Sequence, residues 1–505
     1  MNFQISYSNI KQGIVDFLSY SYKNPAKLFM VLSSIAASIL FLYVAFSRIN
    51  YDFDLEWNEG LVLDNVWRIH DGLPVYTKPS PGFISNIYPP VYYYFVYFLW
   101  KIFSPGYFSA RLISIFSTLI IALFLFLITQ KITSNKIYSL STSGFFLASY
   151  YICGWWFDLA RVDMLAHALL IISLYLLTEG NSPYMLILSG FLSAITVFTK
   201  QNMLPLCLVL PLLLILSKEY RKSLYFFLSF ILLSLLIFVI LHYNSEGWST
   251  YYLFVLPSMH ELRMDHVRIF FMEDLGYRLI PALLLIIMLI FSGMRKMLSL
   301  NKTSLYIAII ALFSLLISFY SRLHYGGYNN SLITLFVFLP LCLTVLLSGL
   351  KDDERILGKL GCEILLFAQI ILLLKSPSMA IPKERDLVNL KNFKSRFVES
   401  SSKGKVFMPC HGFWSRYYGG EVTIHQMSFI TSVILKPGSK SSVTDEFEKA
   451  IESGNYRILI FDYLPAGRVA YFIKEKYKTT GTVKDPPRMF TGMPCKPVYV
   501  WDLKD

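Results

Sequence analysis

Residues 28–47 read LFMVLSSIAASILFLYVAFS, and no charged side chain interrupts them. A helix needs about 20 such residues to cross the roughly 30 Å of hydrocarbon in a membrane. Residues 223–241, 303–321 and 331–350 are equally free of charge. The sequence therefore predicts an all-α polytopic membrane protein.

The composition agrees with this prediction. Of the 505 residues, 55% are hydrophobic and 16% are charged, whereas a soluble protein carries about 25% charged residues. The net charge of +13 is explained by basic residues at the cytoplasmic membrane edge, so we expect no nucleic-acid partner. No small-residue cleavage site follows the first span, which favours a retained helix over a signal peptide.

Eleven apolar segments are predicted to cross the membrane. With the N-terminus in the cytoplasm, every cytoplasmic loop except Glu179–Ser182 is basic, as at Lys131, Lys136 and Lys222, which follows the positive-inside rule. The aromatic segment 88–103 is predicted to lie at the interface, because a twelfth crossing would reverse all later loops. The predicted spans are 28–47, 108–130, 137–156, 164–178, 183–199, 203–217, 223–241, 279–294, 303–321, 331–350 and 356–374.

This topology divides the chain into three parts. Residues 1–27 form a cytoplasmic N-terminus, and residues 28–374 form a membrane domain with a large first outer loop, 48–107. "Outer" here means the side away from the cytoplasm. Residues 375–505 are more polar and predict a small outer α/β domain. Its predicted strands are Lys405–Met408, Tyr456–Asp462 and Val498–Trp501, and its predicted helix is Ser442–Ser453. Cys410 and Cys495 either pair, if this side is oxidising, or stay free.

The first outer loop opens with an acidic cluster. Residues 51–63 read YDFDLEWNEGLVL and place Asp52, Asp54, Glu56 and Glu59 within eight residues. Carboxylates so placed can act as a general base or bind a cation. A solvated acidic loop is the alternative, but the interleaved apolar residues favour inward-pointing acids.

Other predicted outer segments carry cations and polar groups. Lys78 follows the acidic loop, WWFDLARVD (155–163) contains Arg161 and Asp163, and TKQN (199–202) contains Lys200. RLHYGGYNN (322–330) contains Arg322 and Asn329. Each residue alone also suits a snorkelling or structural role, but together they predict one outer cavity able to bind an anion.

Several function classes lack support. The sequence has no GxxxxGK[ST], HExxH or GxSxG motif, so nothing indicates ATP hydrolysis or the common hydrolase chemistries. His167, Lys359 and Glu363 are the few charges predicted within spans, and an ion-coupled transporter more often places acids at mid-membrane.

These segments resemble a known family, the GT-C superfamily of polytopic glycosyltransferases. The chain is most similar to bacterial members related to protein O-mannosyltransferases and lipid A aminoarabinose transferases. The motifs that carry the resemblance are NEGLVL (58–63), GLPVY (72–76), NIYPPVYYY (86–94), ARLIS (110–114), RVDMLA (161–166), TKQN (199–202) and GGYNN (326–330).

The resemblance implies an inverting transferase that takes a sugar from a polyprenyl-phosphate donor. The family's Asp-Glu pair falls on Asn58 and Glu59, so Glu59 is the first candidate base, with Glu56 and Asp54 as substitutes. No cofactor is assigned, and a divalent cation at the alternating acids is not favoured. The residues implied to bind the lipid phosphate or sugar are Lys78, Tyr88, Arg161, Asp163, Lys200, Gln201, Arg322 and Asn329.

The resemblance leaves the acceptor open among lipid, glycan and protein. It favours a bacterial inner membrane, with the active site and C-terminal domain facing the periplasm, and an endoplasmic-reticulum membrane is the alternative. Two other interpretations remain: a transporter or flippase of lipid-linked sugars, and a non-catalytic membrane protein of envelope assembly. The first-loop acids favour the transferase, because a flippase has little need of them.

Overall fold

The computed structural model describes residues 24–80, 82–179, 182–293, 302–350, 358–423, 425, 448–465, 467–493 and 495–504. Within them, a helix lies at every one of the eleven predicted spans. The helices of ten or more residues before residue 375 are α1 (Pro25–Arg48), α2 (Glu59–His70), α3 (Val91–Trp100), α4 (Tyr107–Thr133), α5 (Lys136–Ala148), α6 (Asp163–Glu179), α7 (Pro183–Val197), α8 (Leu204–Leu216), α9 (Tyr220–Asn244), α10 (Ile280–Gly293), α11 (Lys302–Leu323), α12 (Ile333–Ser348) and α13 (Lys359–Leu373).

Six helical segments of the described chain are long and apolar enough to cross a membrane. They contain α1, α4, α9, α11, α12 and α13, and shorter apolar helices such as α7 lie between them. The prediction of a polytopic helical membrane protein is thus confirmed.

The aromatic helix α3 differs from these spans. It has 10 residues, which correspond to about 15 Å at 1.5 Å per residue, half of the hydrocarbon thickness. Its length therefore fits the predicted interfacial helix rather than a twelfth span.

Small side chains bring the membrane helices close together. A Cβ added to Gly144 of α5 would come under 3.0 Å from Ser34 of α1, and one on Gly190 of α7 would meet Ser229 and the Phe226 carbonyl of α9 in the same way. Ser173 of α6 is hydrogen-bonded at 2.9 Å to the Ser189 carbonyl of α7. Such contacts drive helix association in lipid, where hydrophobic burial contributes little.

The C-terminal region contains a four-stranded sheet with helices around it. The strands are β1 (Val406–Phe407), β2 (Ile458–Phe461), β3 (Tyr477–Thr482) and β4 (Tyr499–Leu503), in the order β1-β2-β4-β3. Strand β1 is parallel to β2, and the other pairs are antiparallel. The three predicted strands are confirmed. Residues 442–447 of the predicted helix lie outside the described residues, and 448–452 are helical. The helices are α14 (Glu384–Lys403), α15 (Gly412–Tyr417) and α16 (Gly467–Lys476).

This region packs directly on the first outer loop. The Trp414 indole N–H donates to the Asp52 carbonyl (2.8 Å), and the Phe490 amide donates to the Leu55 carbonyl (3.0 Å). Trp414 and Phe490 share one hydrophobic core with the membrane helices. The loop that carries the predicted catalytic acids thus packs against the C-terminal region as well as the helix bundle.

Candidate active site

The acidic side chains of the first outer loop contact different partners. Asp52 forms a half-exposed ion pair with Lys394 of α14 (2.9 Å). Asp54 is buried and contacts His411 Nδ1 (2.7 Å), while the Tyr107 hydroxyl donates to its other oxygen (3.0 Å). Their alternation along the chain therefore does not gather Asp52 and Asp54 with Glu56 at one site.

Glu59 lies at the first position of α2 and is fully buried. Its two carboxylate oxygens lie 3.1 Å and 2.7 Å from Nε and Nη2 of Arg111 in α4. The backbone amides of Leu55 and Ala160 also donate to it, each at 2.7 Å. This first candidate base thus sits in a closed ion pair.

Glu56 belongs to a group of charged side chains that we call the outer cluster, after the predicted outer segments that supply them: Glu56, Arg161, Asp163 and Lys200. A Glu56 oxygen lies 3.1 Å from Arg161 Nη1, and Asp163 lies 3.9 Å from Arg161 Nε and 2.7 Å from Lys200 Nζ. Each of the four is at most 4% exposed. The structure thus brings together residues from three separate predicted outer segments.

Aromatic and amide groups surround the outer cluster. The rings of Tyr88 and Trp156 lie 5.7 Å and 5.5 Å from the Arg161 guanidinium carbon. The Asn330 amide donates to Asp163 (3.1 Å), and the Gln201 amide donates to the Ile87 carbonyl (2.7 Å). The predicted residues Tyr88 and Gln201 therefore lie at this site.

Several buried polar atoms here have no hydrogen-bond partner among the described residues. Buried polar groups are nearly always paired in folded proteins, so a group of them marks a place where a ligand or water can bind. They include Glu56 Oε1, Arg161 Nε, Asp163 Oδ2, Gln201 Oε1 and Trp57 Nε1.

Burial gives Glu56 an unusual proton affinity. Loss of hydration raises the pKa of Glu56 to about 8, although the positive charge of Arg161 and the Asn58 amide act in the opposite direction. The negative charges of Glu59 and Asp54 raise the pKa further. A carboxyl group with a pKa near neutrality suits general acid–base chemistry.

Three predicted binding residues lie elsewhere. Lys78 is exposed to solvent. Arg322 pairs with Asp274 (2.7 Å) and donates to the Gly327 carbonyl (2.7 Å). Asn329 is half-buried beside Gly154, whereas its neighbour Asn330 reaches the outer cluster. The structure does not bring Lys78, Arg322 or Asn329 into the outer cluster.

Sequence reasoning gave no role to several residues that organise the site. Arg111 stands in the quoted ARLIS motif, and its charge near the start of an apolar helix was the available signal. His411 contacts both Asp54 (2.7 Å) and Asp462 (3.1 Å). No local pattern marks His411, because Asp54 lies 357 residues away along the chain.

Among the residues that the structure describes, no three His, Cys, Asp or Glu side chains are grouped so as to hold a metal ion. No disulfide joins Cys410, which is buried, to Cys495, which is half-buried. Burial raises the pKa of Cys495 to about 12, so this thiol is protonated at neutral pH.

Comparison with known proteins agrees with the resemblance. The sequence model for the family described as dolichyl-phosphate-mannose-protein mannosyltransferase matches residues 88–243, which include Arg111, Arg161, Asp163 and Lys200. No curated protein sequence gives a significant match.

Solved structures give the longer match. ArnT from Cupriavidus metallidurans in the apo state has a TM-score of 0.61 at 12% identity, over 92% of this chain and 97% of that one. The same protein bound to undecaprenyl phosphate has a TM-score of 0.60 at 11% identity, with the same coverage. The chain therefore has the polytopic fold of ArnT, as the resemblance to the GT-C superfamily predicted.

Proposed function

We propose that this protein is a membrane glycosyltransferase that moves a sugar from a polyprenyl-phosphate donor to an acceptor hydroxyl outside the cytoplasm. The observation that carries the proposal is the outer cluster, in which buried Arg161 lies beside the high-pKa carboxyl of Glu56 and buried Lys200 pairs with Asp163. The ArnT structure of the same fold that binds undecaprenyl phosphate supports a lipid phosphate as the ligand class.

The charges of the outer cluster favour an anion when Glu56 is protonated. Arg161 and Lys200 then contribute two positive charges against the one negative charge of Asp163, so the cluster has a net charge of +1. Cationic donors in a site that excludes water stabilise a phosphate more strongly than they would in bulk water. Arg161 Nε, which makes no hydrogen bond to the described residues, is available as a further donor.

The reaction would proceed in one displacement. Glu56, once deprotonated, takes the proton of the acceptor hydroxyl, and the hydroxyl oxygen forms a bond to the anomeric carbon. The bond from that carbon to the phosphate oxygen breaks, and polyprenyl phosphate leaves with the bonding electrons. Arg161 and Lys200 stabilise the charge on the leaving phosphate. A single displacement inverts the anomeric configuration.

Residues 28–374 would form the transferase domain, and residues 375–505 would lie outside the cytoplasm and contact the acceptor. A bacterial inner membrane, with the outer cluster facing the periplasm, fits a lipid-borne donor, since nucleotide sugars are made in the cytoplasm. The acceptor would be a lipid, glycan or protein that presents a free hydroxyl.

The test uses purified protein in liposomes with a panel of radiolabelled undecaprenyl-phosphate sugars and a crude envelope extract as acceptor source. We expect the wild type to release undecaprenyl phosphate and label an acceptor. Glu56→Gln should lower that rate by about 100-fold or more, as loss of a general base does. Glu179→Gln is the matched control, because Glu179 forms an exposed ion pair with Lys131 away from the outer cluster.

Two outcomes would contradict the transferase. Movement of the labelled donor across the bilayer without release of undecaprenyl phosphate would support the flippase. Neither release nor movement, with the protein folded and every donor tried, would support the envelope-assembly protein. Full activity of Glu56→Gln would remove Glu56 from the mechanism while leaving the reaction class intact.

A further inference from the structure

The carboxylate of Glu59 has no free position for a substrate. One oxygen accepts from Arg111 Nε (3.1 Å) and the Ala160 amide (2.7 Å), and the other from Arg111 Nη2 (2.7 Å) and the Leu55 amide (2.7 Å). Four donors thus occupy the two oxygens of a fully buried group. Glu56, in contrast, keeps one buried oxygen without a partner among the described residues.

The two backbone amides that donate to Glu59 belong to residues next to members of the outer cluster. Leu55 immediately precedes Glu56, and Ala160 immediately precedes Arg161. Glu56 and Arg161 form the 3.1 Å ion pair of the outer cluster. Glu59 therefore holds the backbone on both sides of that pair, one residue from each partner.

Arg111, the ion-pair partner of Glu59, also binds the backbone of the first outer loop. Its guanidinium also donates to the carbonyls of Tyr51 (2.5 Å) and Phe53 (2.7 Å) in the first outer loop. Since Arg111 lies in a long membrane helix, the loop is tied to a rigid element. The buried Glu59–Arg111 ion pair thus connects the backbone beside Glu56 and Arg161 to helix α4.

We infer that Glu59, held by Arg111, is a positioning residue that sets the distance between Glu56 and Arg161 rather than the base itself. The inference rests on the proposed function, in which Glu56 takes the proton and Arg161 binds the phosphate. A misplacement of about 1 Å between reacting groups can cost about 100-fold in rate, so loss of this clamp should lower kcat.

A double-mutant cycle on transfer tests the inference. Alone, Glu59→Gln should lower kcat by about 100-fold, with the affinity for undecaprenyl phosphate changed by less than about 3-fold. In the Glu56→Gln background the same change should lower kcat by less than about 3-fold, because residues that act as a unit are not additive. Glu59→Asp, which keeps the charge on a shorter side chain, should fall between wild type and Glu59→Gln.

The matched control is Glu363→Gln. Glu363 is another buried carboxylate, which accepts from the Tyr138 hydroxyl (2.6 Å), but it belongs to α13 and lies outside the outer cluster. Its effect on kcat should be the same factor in both backgrounds. If Glu59→Gln does not fold, Glu59→Asp is carried through the same cycle.

The outcomes distinguish failure of the positioning role from failure of the proposed function. Equal factors for the Glu59 variants in both backgrounds would overturn the positioning role. Loss of all transfer in Glu59→Gln, with Glu56→Gln fully active, would make Glu59 the base and overturn it too. Absence of transfer in the wild type would overturn the proposed function, and the positioning role with it.

Discussion

At the scale of single residues, the raised pKa of Glu56 links activity and stability to pH in opposite directions. Burial raises the pKa from an ordinary 4.5 to about 8, so the carboxylate needed as a base forms only as the pH passes 8. The folded state binds this proton more tightly than the unfolded state. Its contribution to stability is therefore complete below pH 4.5 and is lost as the pH rises through about 8.

We predict that transfer rises with pH to a plateau above about 8, while the melting temperature falls over the same range. The rate and the melting temperature of the wild type are measured between pH 5 and 9, beside Glu56→Gln. The variant should lose the pH-dependent rise in rate and part of the fall in melting temperature. An unchanged rise in its residual activity would show that another group titrates.

Substitution of Lys200 tests whether the outer cluster binds the phosphate. Its ammonium lies 2.7 Å from Asp163 and is buried, so Lys200→Met removes one cation from a site of low dielectric. We predict that undecaprenyl phosphate binds about 10-fold more weakly or worse, since a hydrogen bond to a charged group contributes about 1.5–3 kcal/mol. The dissociation constant is measured from the ligand-induced rise in melting temperature.

The control for this variant is Lys101→Met. Lys101 is exposed at the end of α3 and lies over the Tyr97 ring (4.6 Å), and its removal should leave the dissociation constant unchanged. Equal weakening by Lys101→Met and Lys200→Met would indicate general electrostatic attraction instead of a phosphate site.

The sequence located the acids of the site but could not assign their roles. The partners that distinguish Glu59 from Glu56 are Arg111, 52 residues from Glu59, and Arg161, 105 residues from Glu56. In the sequence alone, a carboxylate that forms a closed ion pair cannot be distinguished from one that lies at an open site. Only the tertiary arrangement decides which oxygen stays available.

At the scale of elements, hydropathy was sufficient to place the helices. A run of apolar residues must satisfy its backbone internally in lipid, so every predicted span could be placed from composition alone. The turns are less determined by sequence. Asn329 and Asn330 are neighbours in a short 3₁₀ turn, Asn329–Leu332, and its direction alone brings Asn330 rather than the predicted Asn329 to Asp163.

Close packing of α7 on α9 gives a prediction at this scale. Because a Cβ on Gly190 would come under 3.0 Å from the Phe226 carbonyl and Ser229 Oγ, Gly190→Val must force the two helices apart. We predict a loss of at least about 1–3 kcal/mol of stability, as overpacking causes, seen as a lower melting temperature in detergent. Gly82→Ala, where nothing lies within 4 Å, should melt like the wild type.

At the scale of the whole molecule, the C-terminal region, residues 375–505, completes the environment of the first outer loop. His411 precedes α15 and lies between Asp54 of that loop and Asp462 at the end of β2. The two carboxylates raise the pKa of His411 to about 10 against the opposing effect of burial. The imidazole is therefore positively charged at neutral pH and joins the two regions by a buried ionic link.

A second link between the same regions allows a matched comparison. Lys394 of α14 pairs with Asp52 (2.9 Å), but both side chains are about two-fifths exposed, at 39% and 43%. Exposed ion pairs contribute about 0–1 kcal/mol, whereas removal of one partner from a buried pair costs about 3–5 kcal/mol. His411→Gln should therefore destabilise the protein much more than Lys394→Met.

The pH dependence identifies the ionic nature of the His411 link. The pKa of His411 is raised in the folded state, so its contribution is complete below 6.5 and is lost as the pH rises through about 10. We predict that the melting temperature and the protease resistance of residues 375–505 fall between pH 6.5 and 10 more steeply in the wild type than in His411→Gln. Lys394→Met, which retains His411, should keep the wild-type slope. Parallel slopes for wild type and His411→Gln would mean that His411 packs as a neutral ring, and that the domain is held on the loop by its apolar contacts, such as those of Trp414 and Phe490.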